Sequence, residues 1–272
     1  MKKNPPLIHT FAHEAMDSVF TILISGDDAD YAQQATTSAF EELNALERHL
    51  SRFNKNSDIS QINNLSAGES AVVDPTTFEC LRISAVMGAE TGGAFDIAFR
   101  SRTIRSQNSL FELNPKTLSV KSFHGNLKLD LGGIGKGFAL DKMAELLSEW
   151  DIRSAMLRSA TSTILSTMPP PGATGWEVEF GPSDTHQTLF LKNNAFSGSS
   201  VEFRGKHVIN PHYGTPGEKS GAWALASTGA RADALSTAFM IMSSDEIREY
   251  ISKHPGVSAW IKSANGKIAM HT

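Results

Sequence analysis

Asp233 and Thr237 stand four residues apart in Ala232-Asp233-Ala234-Leu235-Ser236-Thr237-Ala238. On a helix, positions i and i+4 share a face, so the carboxylate and the hydroxyl would point the same way. Such oxygens suit Mg2+, a hard cation; an acidic residue that favours a first helical turn would also account for Asp233. A denser signal is Asp130-Leu131-Gly132-Gly133-Ile134-Gly135-Lys136-Gly137-Phe138-Ala139-Leu140-Asp141, with four glycines within six residues. Without Cβ atoms the backbone can approach a phosphate or a metal closely. The helix that follows would offer amides and partial positive charge to an anion, and Lys136 could meet a phosphate as a point charge. The loop lacks the Gly-Lys-Ser/Thr ending of a Walker loop, and its glycine spacing differs from the dinucleotide fingerprint. Taken alone, it is equally a tight strand–helix turn. In His207-Val208-Ile209-Asn210-Pro211-His212-Tyr213-Gly214, His207 could be a general base near neutral pH or a structural histidine. The single cysteine, Cys80, can form neither an internal disulfide nor a thiolate metal site, and it reads as a buried structural thiol.

The elements that must position these residues follow from spacing. Ala35, Ala39, Leu43, Leu46 and Leu50 recur at helical intervals, which predicts a helix from about Ala29 to Leu50 capped by Asp28 or Asp30. Ser57-Asp58-Ile59-Ser60 reads as a cap and a short helix. Further helices are expected over Thr76–Glu90 behind Pro75, Gly135–Trp150, Ala230–Met242 and Ser244–His254. Val19–Ile24 is β-branched and aromatic, and Leu127–Leu131 alternates like a strand entering the glycine turn. An edge hairpin is expected within the polar stretch from about Arg100 to Asn126. Short strands are expected at Ala155–Leu157, Trp176–Phe180, Leu189–Leu191, Lys206–Ile209 and Ala222–Ala226. A closing hairpin would follow, Ser258–Ile261 with Ile268–Met270 around Asn265-Gly266. Strands and helices do not alternate regularly, so the pattern favours α+β over a doubly wound sheet.

The 272 residues can bury a sizeable core and are read as one domain, 1–272. A net charge of −4 argues against general nucleic-acid binding, which calls for a basic face. No apolar run follows the basic Met-Lys-Lys start, and no stretch is long enough for a membrane span. As written the chain is expected to be cytoplasmic, or periplasmic if a leader has been removed.

Together the motifs resemble the FAD:protein FMN transferases, long described as thiamine-biosynthesis lipoproteins. The matching pieces are Leu50-Ser51-Arg52-Phe53 with Ser57-Asp58-Ile59-Ser60-Gln61-Ile62-Asn63, Thr91-Gly92-Gly93-Ala94-Phe95-Asp96, Asp130–Asp141, Ser197-Gly198, His207–Gly214 and Ala232–Ala238. They run in family order through roughly residues 14 to 245. The resemblance implies a flavin-transferase (ApbE-like, T-fold-related) α+β fold of mixed sheets with packed helices, with FAD as substrate and Mg2+ as cofactor. It assigns the metal to Asp233, Thr237 and the Gly133 carbonyl. FAD contacts fall on Met16, Phe53, Ala94, Phe95, Asp96, Asp130, Lys136 and the Ile209 turn, and the proposed catalytic His on His207. Phe53 could stack on a flat ring or pack in the core.

The chain also departs from the family pattern. Met16-Asp17-Ser18 stands where Met-Gly-Thr is usual, and Asn210 and His212-Tyr213 replace a frequent Asp and the usual Arg-Thr. Arg158-Ser159-Ala160-Thr161-Ser162-Thr163 lacks a usual Gly-Gly pair; if that pair lets the backbone approach the cofactor, Ala160 and Thr161 add Cβ atoms there. The implied reaction moves FMN from FAD onto a Ser or Thr hydroxyl of an acceptor flavoprotein, with His207 taking the hydroxyl proton. With water as acceptor the protein would be a pyrophosphatase giving FMN and AMP. The lost Gly-Gly pair favours a third reading, a non-catalytic FAD-binding protein.

Overall fold

The computed structural model describes residues 7–26, 28–101, 109–182, 186–200 and 219–272. A hairpin opens the chain: β1 (Ile8–Ala15) pairs with β2 (Ser18–Ser25) in the register Ala15↔Ser18. Its two-residue turn, Met16-Asp17, has φ of 51° and 53°, the left-handed pair that matches the twist of a tight hairpin. Six more strands extend this sheet: β6 (Ala155–Ser159), β7 (Thr163–Ser166), β10 (Asn194–Ser200), β11 (Gly221–Ala226), β12 (Ser258–Lys262) and β13 (Ile268–His271). The order is β1-β2-β6-β7-β10-β11-β12-β13, and every pairing is antiparallel. A smaller sheet of β3 (Ser70–Val72), β5 (Ser119–Ser122) and β4 (Phe111–Asn114) contains the hairpin expected between residues 100 and 126. The helices are α1 (Ala29–Leu50), α2 (Asp58–Asn63), α3 (Pro75–Glu90), α4 (Gly135–Glu149), α5 (Gly229–Phe239) and α6 (Ser244–Lys253).

Strand alternation divides the core in two. Successive side chains point to opposite faces, so Ala155 and Leu157 join the helices while Met156 between them faces away. On the far face Trp176, Val178 and Phe180 of β8 (Trp176–Phe180), which pairs with β9 (Gln187–Leu191), pack on Ile164, Phe196 and Trp260. On the helix face Ala195, Ala222, Ala224, Ala226 and Ala259 form a buried surface of small side chains. The small side chains let α5 lie close to the sheet, and α5 is buried along most of its length, Asp233 included.

Helix starts are mostly capped by the residue the sequence provides. Asp28 accepts from the Tyr31 N–H, Ser57 from Ser60, Asp74 from Thr76, and Ser243 forms a reciprocal capping box with Glu246. The exception is α4, whose N-cap Ile134 makes no side-chain bond. Here α4 and α5 cap each other. Asp233 of α5 accepts from the Gly137 N–H at 3.1 Å, and Asp141 of α4 accepts from the Gly229 and Ala230 N–H at 2.6 and 2.8 Å. A Cβ on Gly137 would meet the Gly229 carbonyl oxygen at 2.1 Å, so only glycine permits this crossing.

The structure differs from expectation at Leu127–Leu131, which joins no sheet. The side chain of Asn63 takes the place of a neighbouring strand, donating to the Leu129 carbonyl at 3.1 Å and accepting its N–H at 2.6 Å. Asp130 N–H donates to the Ile97 carbonyl. The expected strand Lys206–Ile209 lies outside the described residues.

Candidate active site

The glycine loop turns tightly where the segment ending in Leu131 meets α4. Ile134 and Gly135 N–H both donate to the Leu131 carbonyl, at 3.0 and 2.7 Å. Asp130 fixes the entry. Its Oδ1 accepts from the Gly132 N–H at 3.0 Å and lies 3.4 Å from Arg52 Nε; its Oδ2 accepts from Arg100 Nη1 at 3.2 Å. Asp130 thus joins the loop to the end of α1 and to the turn at Phe99–Ser101.

A cleft opens beside this loop, lined by Met16, Asp17, Glu47, Arg52, Phe53, Asp130, Gly132, Gly135 and Lys136 among others. Four residues expected to contact FAD therefore meet here: Met16 from the β1–β2 turn, Phe53 after α1, Asp130, and Lys136 at the start of α4. The Phe53 ring is 70% exposed, which removes core packing as its role and leaves a face open to a flat partner. The Arg52 guanidinium sits 4.1 Å from its centroid. Glu47 Oε1 accepts from the Met16 N–H at 2.8 Å, holding the left-handed turn over the cleft. Ala94 and Phe95 are buried, and Asp96 Oδ1 caps the following turn through the Ala98 N–H at 2.8 Å. Ala160 and Thr161 lie on the exposed β6–β7 turn and do not line this cleft.

Of the expected metal residues, Gly133 lies against Thr237, and Asp233 stands one helical turn before Thr237. Asp233 and Thr237 share α5, and a Cβ on Gly133 would sit 3.0 Å from Thr237 Oγ1 and 3.3 Å from the Phe95 ring. The loop backbone therefore reaches the Thr237 hydroxyl only because residue 133 has no side chain. A carboxylate, a hydroxyl and a carbonyl form an all-oxygen set that fits a hard divalent cation. Among the described residues no group of three or more His, Cys, Asp or Glu side chains is placed to hold a metal, so a cation here would rest on one carboxylate.

His207 and Ile209 lie outside the described residues. Cys80 is fully buried, and burial pushes its thiol up, away from nucleophilic use. Burial likewise pushes Asp141 up to about 6, against the pull of the Ala230 and Gly229 amides. Sequence reasoning gave no role to Arg52, Glu47, Arg100, Asp141 or Ser197. Arg52, Asp141 and Ser197 lie inside quoted motifs, whereas Glu47 and Arg100 act through partners distant in sequence.

The fold and the cleft define an α+β protein in which a glycine loop, Lys136 and the ring of Phe53 line one cleft. The ApbE family model matches residues 16–261, and the chain belongs to that family. It is 23% identical to the FAD:protein FMN transferase of Escherichia coli (strain K12), covering 93% of this chain and 83% of that protein. It is 22% identical to the protein of that name from Buchnera aphidicola subsp. Baizongia pistaciae, over 71% of this chain and 68% of that one. Its fold matches the flavin transferase ApbE from Vibrio cholerae with a TM-score of 0.85 at 16% identity, covering 98% of both chains. The apo flavinyl transferase ApbE of Pseudomonas stutzeri matches with a TM-score of 0.84 at 18% identity, covering 100% and 97%. No helix among the described residues is long and apolar enough to cross a membrane.

Proposed function

We propose that this protein is an FAD:protein FMN transferase that uses Mg2+ to place FMN on a Ser or Thr hydroxyl of an acceptor protein. The observation that carries the reading is the meeting of Gly133 with Thr237 on the helix that holds Asp233, beside a cleft containing Phe53, Asp130 and Lys136. The relatives named above support it. In the transfer, the acceptor oxygen forms a bond to the FMN phosphorus, the pyrophosphate P–O bond breaks, AMP leaves, and the hydroxyl proton passes to a base. His207 is the residue proposed as that base. Lys136 offers positive charge to the pyrophosphate, and the Phe53 face offers a stacking surface for a flavin or adenine ring. A cation held by Asp233, Thr237 and the Gly133 carbonyl would supply neutralising charge at the pyrophosphate.

The experiment incubates the protein with FAD, Mg2+ and a Thr-bearing acceptor peptide, following AMP release and flavin on the peptide. Wild type should yield both in equal amounts. EDTA and Asp233→Ala should abolish both, and His207→Ala should lower transfer by roughly 10²- to 10⁴-fold while FAD still binds. AMP and free FMN without labelled peptide would identify a pyrophosphatase. Bound FAD without AMP would identify a binding protein. Transfer indifferent to EDTA would remove the metal from the reading.

A further inference from the structure

Behind Asp233 lies a row of hydroxyls contributed by Thr163 of β7, Ser197 and Ser199 of β10, and Ser236 and Thr237 of α5, all buried except the partly exposed Thr237. Ser197 and Asp233 are fully buried, and β10 sets Ser197 directly opposite Thr163. Each hydroxyl carries one proton, so counting donors assigns the direction of the bonds. Ser236 Oγ lies 2.9 Å from the Asp233 carbonyl and 2.9 Å from Ser199 Oγ. Ser236 therefore donates to the carbonyl and accepts from Ser199. Thr237 Oγ1 lies 3.3 Å from the same carbonyl; donating there leaves its lone pairs for a cation. Ser197 Oγ can accept from Thr163 at 3.0 Å, and three oxygens lie within reach of its own proton. These are the Ser162 carbonyl at 3.1 Å, Asp233 Oδ1 at 3.3 Å and, longest, Ser236 Oγ at 3.4 Å, which already accepts from Ser199. The Ser162 carbonyl already accepts the Gly198 N–H at 2.7 Å. A buried carboxylate oxygen without a donor costs more than a carbonyl that loses its second one.

We infer that Ser197 is a positioning residue whose hydroxyl donates to Asp233 Oδ1, fixing the carboxylate that would hold the cation. With the Gly137 N–H on Oδ2, the two donors come from different elements and set the plane of the group. Each oxygen keeps further lone-pair capacity toward the glycine loop. The inference rests on the metal reading proposed above.

Direct titration with Mn2+, following free ion by electron paramagnetic resonance with and without FAD, tests it apart from activity. Ser197→Ala should weaken Mn2+ binding by about tenfold or more, since it removes a buried hydrogen bond to a charged group. Ser197→Cys keeps the side-chain shape, slightly enlarged, with only a weak donor and should show a similar loss. Ser199→Ala, which removes a partner of Ser236 and a longer contact to Thr237 at 3.5 Å but none to the carboxylate, should lose clearly less than Ser197→Ala. Melting temperatures of the Ser197 variants should stay within a few degrees of wild type. Wild-type affinity in Ser197→Ala, an equal loss in Ser199→Ala, or failure of both Ser197 variants to fold would overturn the inference. Wild-type protein that takes up no Mn2+ would instead overturn the metal reading itself, and with it this role.

Discussion

Two of the places where the chain leaves the family pattern carry the same local signature. Met16 and Asp17 have φ of 51° and 53°, and Ala160 has φ of 44°, a region where a Cβ meets the following carbonyl. At Met16-Asp17 the strain falls on a turn that lines the cleft and is held by Glu47, a setting in which a costly backbone is retained for a site. Ala160 has no such brace: it is exposed and outside the cleft lining, and its N–H donates to the Val19 carbonyl at 2.8 Å. The Cβ atoms that could crowd a cofactor thus point to a stability effect instead. Ala160→Gly should stabilise the protein by about 1 kcal/mol, because glycine adopts this φ without penalty. Urea melts would register it, and flavin fluorescence titration should show unchanged FAD affinity. Tighter FAD binding would return Ala160 to the flavin pocket, and lower stability would mean that the methyl packs usefully.

At the scale of elements, the site is built where the starts of α4 and α5 cross. Their contact is reciprocal: each helix lends an aspartate to the unsatisfied amides of the other, so the Asp233 carboxylate is both an α4 cap and the proposed cation ligand. The glycines make it possible, for a Cβ on Gly229 would also approach the Gly137 carbonyl to 2.4 Å. Gly137→Ala should therefore force the helices apart, costing about 3 kcal/mol or more, since the obstacle is backbone and cannot swing aside. Gly132→Ala is the matched control: the nearest atom to its Cβ is an Asp130 carboxylate oxygen at 3.1 Å, the end of a side chain that can move. Chemical denaturation of the two variants should separate them clearly, and near-equal stabilities would show that α5 slides without cost.

Across the whole molecule, what the sequence revealed was local. Helix α1 was legible because its apolar spacing begins at the cap Asp28, and α3 because Pro75 marks its entry; α1 has the expected bounds. Strands β7 and β10 were not, because Thr163, Ser197 and Ser199 put polar groups on the inward face to serve Asp233, erasing the alternation that marks a strand. The cleft followed the same rule: its motifs could be read, but the pairs that hold it, such as Met16 with Glu47 or Asp141 with Gly229, lie 31 and 88 residues apart. One of these pairs gives the fold a pH dependence. Asp141 titrates near 3.8 in an unstructured chain and is pushed up to about 6 by burial. Between those values the folded protein holds a proton that the unfolded chain releases, so this group favours folding as pH falls through 6 toward 4 and loses that contribution as pH rises. At about 1.4 kcal/mol per unit, discounted for its partial contact with water, the effect is on the order of 2 kcal/mol. Other carboxylates titrate in the same range, so the readout is the difference between wild type and Asp141→Asn, which keeps an acceptor for the α5 amides but binds no proton. Melting curves from pH 4 to 7 should show the wild type gaining stability relative to Asp141→Asn toward acid. A relative loss toward acid would mean that the Gly229 and Ala230 amides outweigh burial and hold Asp141 ionised, and parallel curves would mean that Asp141 does not govern this range.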